Sequence, residues 1–340
     1  MSEPKSSNTK TPIDAKQLQR KMVTYQRPGR LQSIWQIVNS LVPYGILWYL
    51  AYVAFEYSVW LSLPIIVLMA GFTVRIFIIF HDCGHGSFFR SKRANNFWGV
   101  LTGILTFTPY HKWRDAHARH HFTSGNLDKR GEGDVWMMTM KEYLQASRKE
   151  RLKYRLYRNP LIMFLLGPLL ITLVNNRIPG KNASRSDRYS VYGTNLGIAV
   201  LAAGMIYLVG WKAYLFIQFT TLFLSHIAGV WLFYVQHQFE DVYWERDSNW
   251  DFVTASLEGG SFYKLPGILR WFSGSIGYHH LHHLNSRIPN YNLVRCQENV
   301  TELHRARPIG FRASLKSLTY RLWDEEAGRL VGFGEARKYR

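Results

Sequence analysis

Four blocks of mostly apolar residues divide the chain: Ile34 to Phe55, Trp60 to Phe80, Asn195 to Gly210 and Ala213 to Val235. The first two hold roughly 20 residues each, about what a helix needs to cross the hydrocarbon layer of a bilayer. The links near Glu56 to Trp60 and around Lys212 are too short for anything except antiparallel neighbours, so the blocks pair into two hairpins. Two shorter apolar runs, Phe97 to Pro109 and Pro160 to Val174, are bounded by polar residues and have the length of interfacial or re-entrant segments. The pattern predicts an all-α integral membrane protein with about four transmembrane helices in two hairpins and a cytoplasmic helical cap.

The polar stretches fill in the rest. Lys141 to Arg158 mixes dense positive charge with Tyr143, Leu144, Leu152 and Leu156, a pattern that suits a helix lying along lipid headgroups. Met1 to Arg20 has no apolar core and so does not read as a secretory signal. Residues 1–30 read as a disordered cytoplasmic tail. Residues 31–340 form a single domain, with the stretch from Thr301 onward as a cytoplasmic cap.

The formal charge of +19 changes the picture only in direction. Lys16, Arg20, Lys21, Arg27 and Arg30 precede the first block, whereas the link at 56–60 carries no base and the second link only Lys212. Lys and Arg collect on the cytoplasmic side, so both hairpins start and end there. A membrane surface explains the basicity, and no nucleic-acid-binding motif is present. Cys83 and Cys296 lie far apart without metal or redox spacing, which excludes a disulfide framework and suits a reducing cytoplasm.

The chemistry is carried by histidine. The second apolar block runs into His81 and His85, at i and i+4 and therefore on one helical face. His117, His120 and His121 offer i, i+3 and i+4 together, and His279, His282 and His283 repeat that spacing. Eight imidazoles exceed the four to six ligands one ion takes, so two ions are the economical reading. Imidazole also suits zinc, copper and nickel, so ligand type alone stops at two transition metals. Asp82 and Asp115 could orient ligand rings by accepting their second N–H. A surface role on their helices is the alternative. Cys83 points away from the ligand face and reads as packing. Arg75, about two turns before His81, needs a partner or a route to the interface.

At these boxes the sequence resembles the membrane fatty acid desaturases, whose pattern is H-x-x-x-H, H-x-x-H-H and H-x-x-H-H along paired transmembrane helices. The likeness extends to His81-Asp82-Cys83-Gly84-His85-Gly86-Ser87-Phe88-Phe89, to Asn126 through Gly131, to Val235 through Glu240 and to Arg287 through Leu293. It covers most of the chain from about Ile34 and is greatest for the bacterial acyl-lipid branch of Bacillus type. The resemblance implies a di-iron centre held by His81, His85, His117, His120, His121, His279, His282 and His283, with His237 as a ninth ligand. In animal acyl-CoA desaturases an Asn four residues before that ninth histidine assists through water. Here that position is Phe233, which leaves a tenth ligand in question. His280, inside the third box, reads as an orienting or structural residue, and His111, His226 and His304 as packing or solvated ones.

The resemblance further implies oxygen as co-substrate, membrane phospholipid acyl chains as substrate, and a cis double bond, with Δ5 suggested by the Bacillus-type likeness. No electron carrier is fused to the chain, so a soluble donor such as ferredoxin or flavodoxin is expected on the basic face of a multi-pass protein of the cell membrane. Two other readings stand beside this one. A related di-iron membrane hydroxylase or ketolase shares the histidine spacing. A histidine-rich membrane metal transporter would instead place its ligands inside the spans.

Overall fold

In the computed structural model, which describes residues 14–131 and 133–339, four helices have the length and apolar character to cross a membrane. They are α2 (Arg30–Tyr57), α3 (Val59–Gly84), α9 (Arg185–Val209) and α10 (Trp211–His237). Ser58 turns α2 into α3 and caps it by accepting from Trp60 N–H; Gly210, at a φ of 78°, turns α9 into α10. Tyr44, Trp48, Ile66, Met69, Phe72 and Ile76 pack against Ala213, Tyr214 and Ile217, which aligns α3 with α10. Both therefore run out toward the same side, α3 into His81 and His85 and α10 into His237. The outward faces keep Trp35, Val42, Ile46, Leu196, Val200 and Leu208 exposed, the apolar surface a bilayer covers.

The short helices complete the order: α1 (Ala15–Met22), α4 (Lys92–Leu105), α5 (Tyr110–Thr123), α6 (Met140–Gln145), α7 (Arg148–Tyr157), α8 (Ile162–Asn175), α11 (Phe252–Gly259), α12 (Gly267–Phe272), α13 (His279–Leu284) and α14 (Asn290–Asn299). With 14 residues, α4 rises only about 21 Å, short of a bilayer core. Its start is tied near box 1 through Asn95 to the Phe89 backbone, and the start of α5, which follows it, through Tyr110 Oη–H to Cys83 O at 2.7 Å.

The run at 160–174 is part of a bent pair, α7 and α8, which meet at 64° around Pro160. The bend and the far end of this pair are both fastened on the histidine-bearing side. Arg158 Nη2 donates to Gln238 Oε1, beside His237, at 2.9 Å. At the far end Lys112 on α5 donates to the carbonyls of Asn175 and Ile178. If the pair were counted as one span, the helices crossing would number five rather than four.

One expectation needs correction. Residues 1–13 lie outside those described, but residues 14–30 are not a disordered tail. Asp14 caps α1, and Leu18 and Met22, four apart, are buried against Leu281, Leu284, Ile288 and Leu293. Two apolar residues in a polar stretch make too sparse a stripe to stand out in the sequence. The cap is mainly helical, as expected, with a few short strands added. β1 (Met138–Thr139) pairs parallel with β4 (Leu322–Asp324), which pairs antiparallel with β5 (Arg329–Val331), while β2 (Phe262–Tyr263) runs parallel to β3 (Pro308–Ile309). Strands of two or three residues leave no alternation to read.

The 141–158 stretch is two helices rather than one, broken where Ser147 and Glu150 form a capping box. It ends in Arg158, a fully buried cation whose guanidinium donates to Gln238 Oε1 and to the carbonyls of Tyr320 and Trp136. Three segments of chain converge on this one side chain. Arg158→Met takes the side-chain donor from Gln238 Oε1 and Trp136 O, each loss costing about 1–3 kcal/mol, while Tyr320 O keeps Tyr234 Oη–H and Arg321 Nη1. We expect a fall in unfolding midpoint in detergent that Arg158→Lys reverses only in part; an unchanged midpoint for Arg158→Met would show the clamp to be idle.

Candidate metal centre

Nine imidazoles converge where α3, α5, α10 and α13 meet. His81, His85, His117 and His282 form one group and His120, His237, His279 and His283 a second, each offering ring nitrogens within 4.8 Å of one another. His121 adjoins the first group, its Nε2 lying 3.2 Å from His117 Nε2 and 3.1 Å from His282 Nε2. Its ring also stacks on His283 at 4.2 Å, which joins the two groups into one centre.

The sharing follows from helical phase. Residues at i and i+4 point the same way, so His117 with His121 faces the first group and His279 with His283 the second. Adjacent residues on a helix diverge by about 100°. His120 therefore turns to the second group and His282 to the first. Each H-x-x-H-H box grips one point with its outer pair and lends its remaining histidine to the other.

The nitrogen spacing tests whether a metal fits. Along the second group His120 Nε2 lies 3.0 Å from His237 Nε2, His279 Nε2 2.9 Å from His237 Nε2, and His283 Nε2 3.0 Å from His279 Nε2. In the first, His117 Nε2 lies 3.1 Å from His81 Nε2. A ring nitrogen carries one in-plane proton or one lone pair and so serves one neighbour along its axis. Nε2 of His117, His121, His237 and His279 each has two. Ligands about 2.1 Å from an ion stand roughly 3.0–3.4 Å apart at right or tetrahedral angles, so a shared ion accounts for these contacts as hydrogen bonds do not. His85 Nε2, buried with no hydrogen-bond partner among the described residues, is consistent with the same use.

Burial, reinforced by repulsion between neighbouring rings, holds His117, His121, His279, His282 and His283 well below the ordinary histidine range. They are neutral at neutral pH, the form that donates a lone pair to a metal.

Carboxylates orient one ring in each group. Asp82 Oδ1 faces His81 Nδ1 at 3.0 Å, fixing the proton there and turning the Nε2 lone pair inward. The other Asp82 oxygen accepts from Asn290 N–H at 2.6 Å and Asn290 Nδ2 at 2.9 Å, which explains the Arg287-to-Leu293 motif as the brace of box 1. Asp134 Oδ1 does the same for His120 Nδ1 at 2.7 Å. Sequence reasoning missed Asp134 because it sits in a loop, 14 residues after its histidine, without periodicity to mark it. Asp115, for which a ring-orienting and a helix-surface role both stood open, forms an ion pair with Arg114 at 2.8 Å, the surface role. Two residues before His117 on α5, it points to another side of the helix.

Backbone straps set the second group. Ser261 N–H donates to Gln236 O, and Ser261 O accepts from both His279 and His280 N–H, so the end of α10 fixes the start of α13. Gly274, at a φ of 53° and packed on Ile78 so closely that a Cβ would meet it at 2.6 Å, seats the turn before box 3 on α3.

The remaining histidines stand apart. His280 pairs with Gln297 Oε1 at 2.9 Å and is pushed down to about 4 by burial. His226 Nδ1 contacts Leu222 O, and His304 Nε2 contacts Gln297 O. His111 lies outside both groups. Cys83 is buried among Ile79, Phe80 and Phe88, as packing. Phe233 lies 5.3 Å from the His120 ring and 5.2 Å from that of His237, so an apolar ring fills that side of the second group. Arg75 rests 3.8 Å over the Trp271 ring and donates to Asn39 Oδ1 and Trp271 O, which gives its in-span charge a polar cage.

A helical bundle with four membrane-length helices and paired, histidine-only groups at their shared end defines the class: a membrane protein with a site able to hold metal. Residues 58–313 match the family described as fatty acid desaturase. A fatty acid desaturase of Bacillus subtilis (strain 168) is 49% identical over 318 residues, covering 94% of this chain and 90% of that one. An sn-1 acyl-lipid omega-3 desaturase (ferredoxin) of Synechocystis sp. is 29% identical over 71% of this chain and 68% of its own length. An sn-1 oleoyl-lipid 12-desaturase of Synechocystis sp. is 27% identical over 71% and 69%. The chain belongs to the fatty acid desaturase family and is thus an oxidoreductase of lipid metabolism.

Loss of an orienting partner of a metal-bound histidine typically lowers affinity about 10–100-fold. Asp134→Ala is therefore expected to weaken metal at the second group by that factor while the first holds its ion. Titration of purified protein against a chelating indicator reads this as one site lost of two; equal weakening of both, or of neither, contradicts the assignment.

Proposed function

We propose that this chain is an oxygen-dependent acyl-lipid desaturase that introduces a cis double bond into acyl chains of membrane glycerolipids, with Δ5 as the position the Bacillus-type likeness favours. The observation that carries the reading is the arrangement of nine imidazoles around two points, in a chain of the desaturase family. His81, His85, His117, His121 and His282 would hold one iron and His120, His237, His279 and His283 the other. The bound pair supplies activation of oxygen at a buried site.

The reaction removes one hydrogen from each of two adjacent methylenes. With two electrons and two protons from outside, one O2 leaves as two waters. The chain's own residues supply position: α3, α5, α10 and α13 hold the rings from four directions, and Asp82 and Asp134 keep two Nδ1 protons in place so that Nε2 faces inward. An acyl chain has no polar handle at its methylenes, so selectivity comes from a fixed depth against this centre.

The electrons come from a separate soluble carrier of the ferredoxin or flavodoxin kind; two of the Synechocystis and Nostoc relatives carry ferredoxin in their names. The net charge of +19 favours an acidic donor by electrostatic steering. The active side faces the cytoplasm of a cell membrane, the side on which basic residues flank the hairpins.

Expression in a bacterial host that makes no unsaturated fatty acids tests this directly. Gas chromatography and mass spectrometry are expected to reveal acyl chains two mass units lighter, absent with His120→Ala. Chains gaining oxygen would instead identify a hydroxylase or ketolase, and tightly held zinc without oxygen consumption a transporter. In reconstituted membranes, raising the ionic strength is expected to slow donor-supported turnover through a weaker encounter; a salt-independent rate would remove the basic-face docking.

A further inference from the structure

Away from the histidines, α8, α9 and α10 enclose an apolar cavity of about 270 Å³. Pro168, Leu169 and Leu173 line it from α8, Ile198 and Ala202 from α9, and Tyr214 through His226 from α10. From His226 to His237 is 11 residues of helix, about 16 Å along the axis, so the cavity is separate from the metal centre. Phe107 and Thr172 also line it. Their carbonyls are two of the acceptors of Arg177, whose guanidinium thereby sits on the cavity rim.

Arg177 has no carboxylate partner among the described residues; its third acceptor is the amide oxygen of Asn195, at 2.8 Å. Lys112 brings a second cation to the same rim by donating to the carbonyls of Asn175 and Ile178, on either side of Arg177. Burial, together with the Arg177 charge, lowers the Lys112 amine and outweighs the opposing pull of Asp187. The loop from Arg177 to Arg188 adds Lys181, Arg185 and Arg188 against the single acid Asp187. The three nitrogens of a guanidinium carry five donors and an ammonium three, so both groups keep N–H capacity beyond these carbonyls.

A slot for hydrocarbon whose mouth holds two under-compensated cations matches one chemistry, an alkyl chain joined to a phosphate. We propose that this cavity and its rim bind one glycerophospholipid, an acyl chain lying between α8, α9 and α10 and the phosphate against Lys112 and Arg177. The phosphate supplies the negative charge that the rim lacks, and the chain fills space that the helices leave open. The bound lipid would also brace α8 against the hairpin.

Two single substitutions test the two halves in the full-length protein purified in mild detergent. Ala202→Phe fills the cavity. Lys112→Glu reverses the rim charge at a half-exposed position and leaves the Arg177 bonds in place. Native mass spectrometry and phosphate analysis after lipid extraction are expected to find about one retained phospholipid per wild-type chain and at least a fivefold drop in both variants, with metal content unchanged. Retention unaffected by either variant overturns the proposal. So does loss with Ala202→Phe alone, which would mean that detergent or another uncharged apolar molecule occupies the slot. The readout is independent of desaturation, so an inactive wild type that still holds the lipid would sink the enzymatic reading and leave this one standing.

Discussion

The structure depends on one constraint: nine imidazoles must meet at two points that no single element can reach alone. A helix pair at i and i+4 can grip one point, and two more helices plus the end of α10 must arrive from other directions to complete two. That requirement explains why α3 and α10 run parallel to a common end, why α5 begins at a Tyr110 locked to the backbone of box 1, and why α13 is only six residues long yet wholly buried. The spans are supports that deliver ligands to a fixed depth.

Neutrality of the rings and burial of the site are one condition seen from two sides. Withdrawing imidazoles from water disfavours the charged form, so burial keeps them ready to donate. The cost appears as nitrogen crowding, with lone pairs brought within about 3 Å of each other. The polar shell behind them limits any rearrangement: Asp82 with Asn290, Asp134 with His120, Ser261 with Gln236, and Arg158 with Gln238. Crowded ligands held by a hydrogen-bonded layer behind them form a preorganised site.

The membrane-length helices and the three boxes were legible in the sequence because both signals are periodic and dense. The apolar blocks fell inside α2, α3, α9 and α10, and the i, i+3, i+4 spacing gathered as expected. Which histidine serves which point was not legible, since it depends on the phase of α5 against α13. Asp134 and Arg158 were hidden for a related reason: each acts through a single long-range contact, and one contact leaves no pattern along the chain. Asp115 shows the converse, a carboxylate near a box in sequence that the helix turns to the surface role the sequence also left open. Helix α1 was hidden by sparseness, its burial resting on Leu18 and Met22 alone.

Charge explains why an imidazole-only set suits oxidation of an unactivated methylene. Two divalent ions would bring four positive charges into this pocket. Among the described residues, the carboxylates touching its rings are Asp82 and Asp134, one behind each group. Both act through an imidazole and not directly on the ion position, so their compensation is partial and distant. A carboxylate-bridged pair would be nearer neutral and easier to leave oxidised. Here the excess positive charge of a bound pair would favour electron entry, while Phe233 keeps an apolar wall beside the second group. The same excess would be untenable in bare hydrocarbon. That is reason enough for the centre to lie at the ends of α3 and α10, where the cap covers it, instead of in their midst.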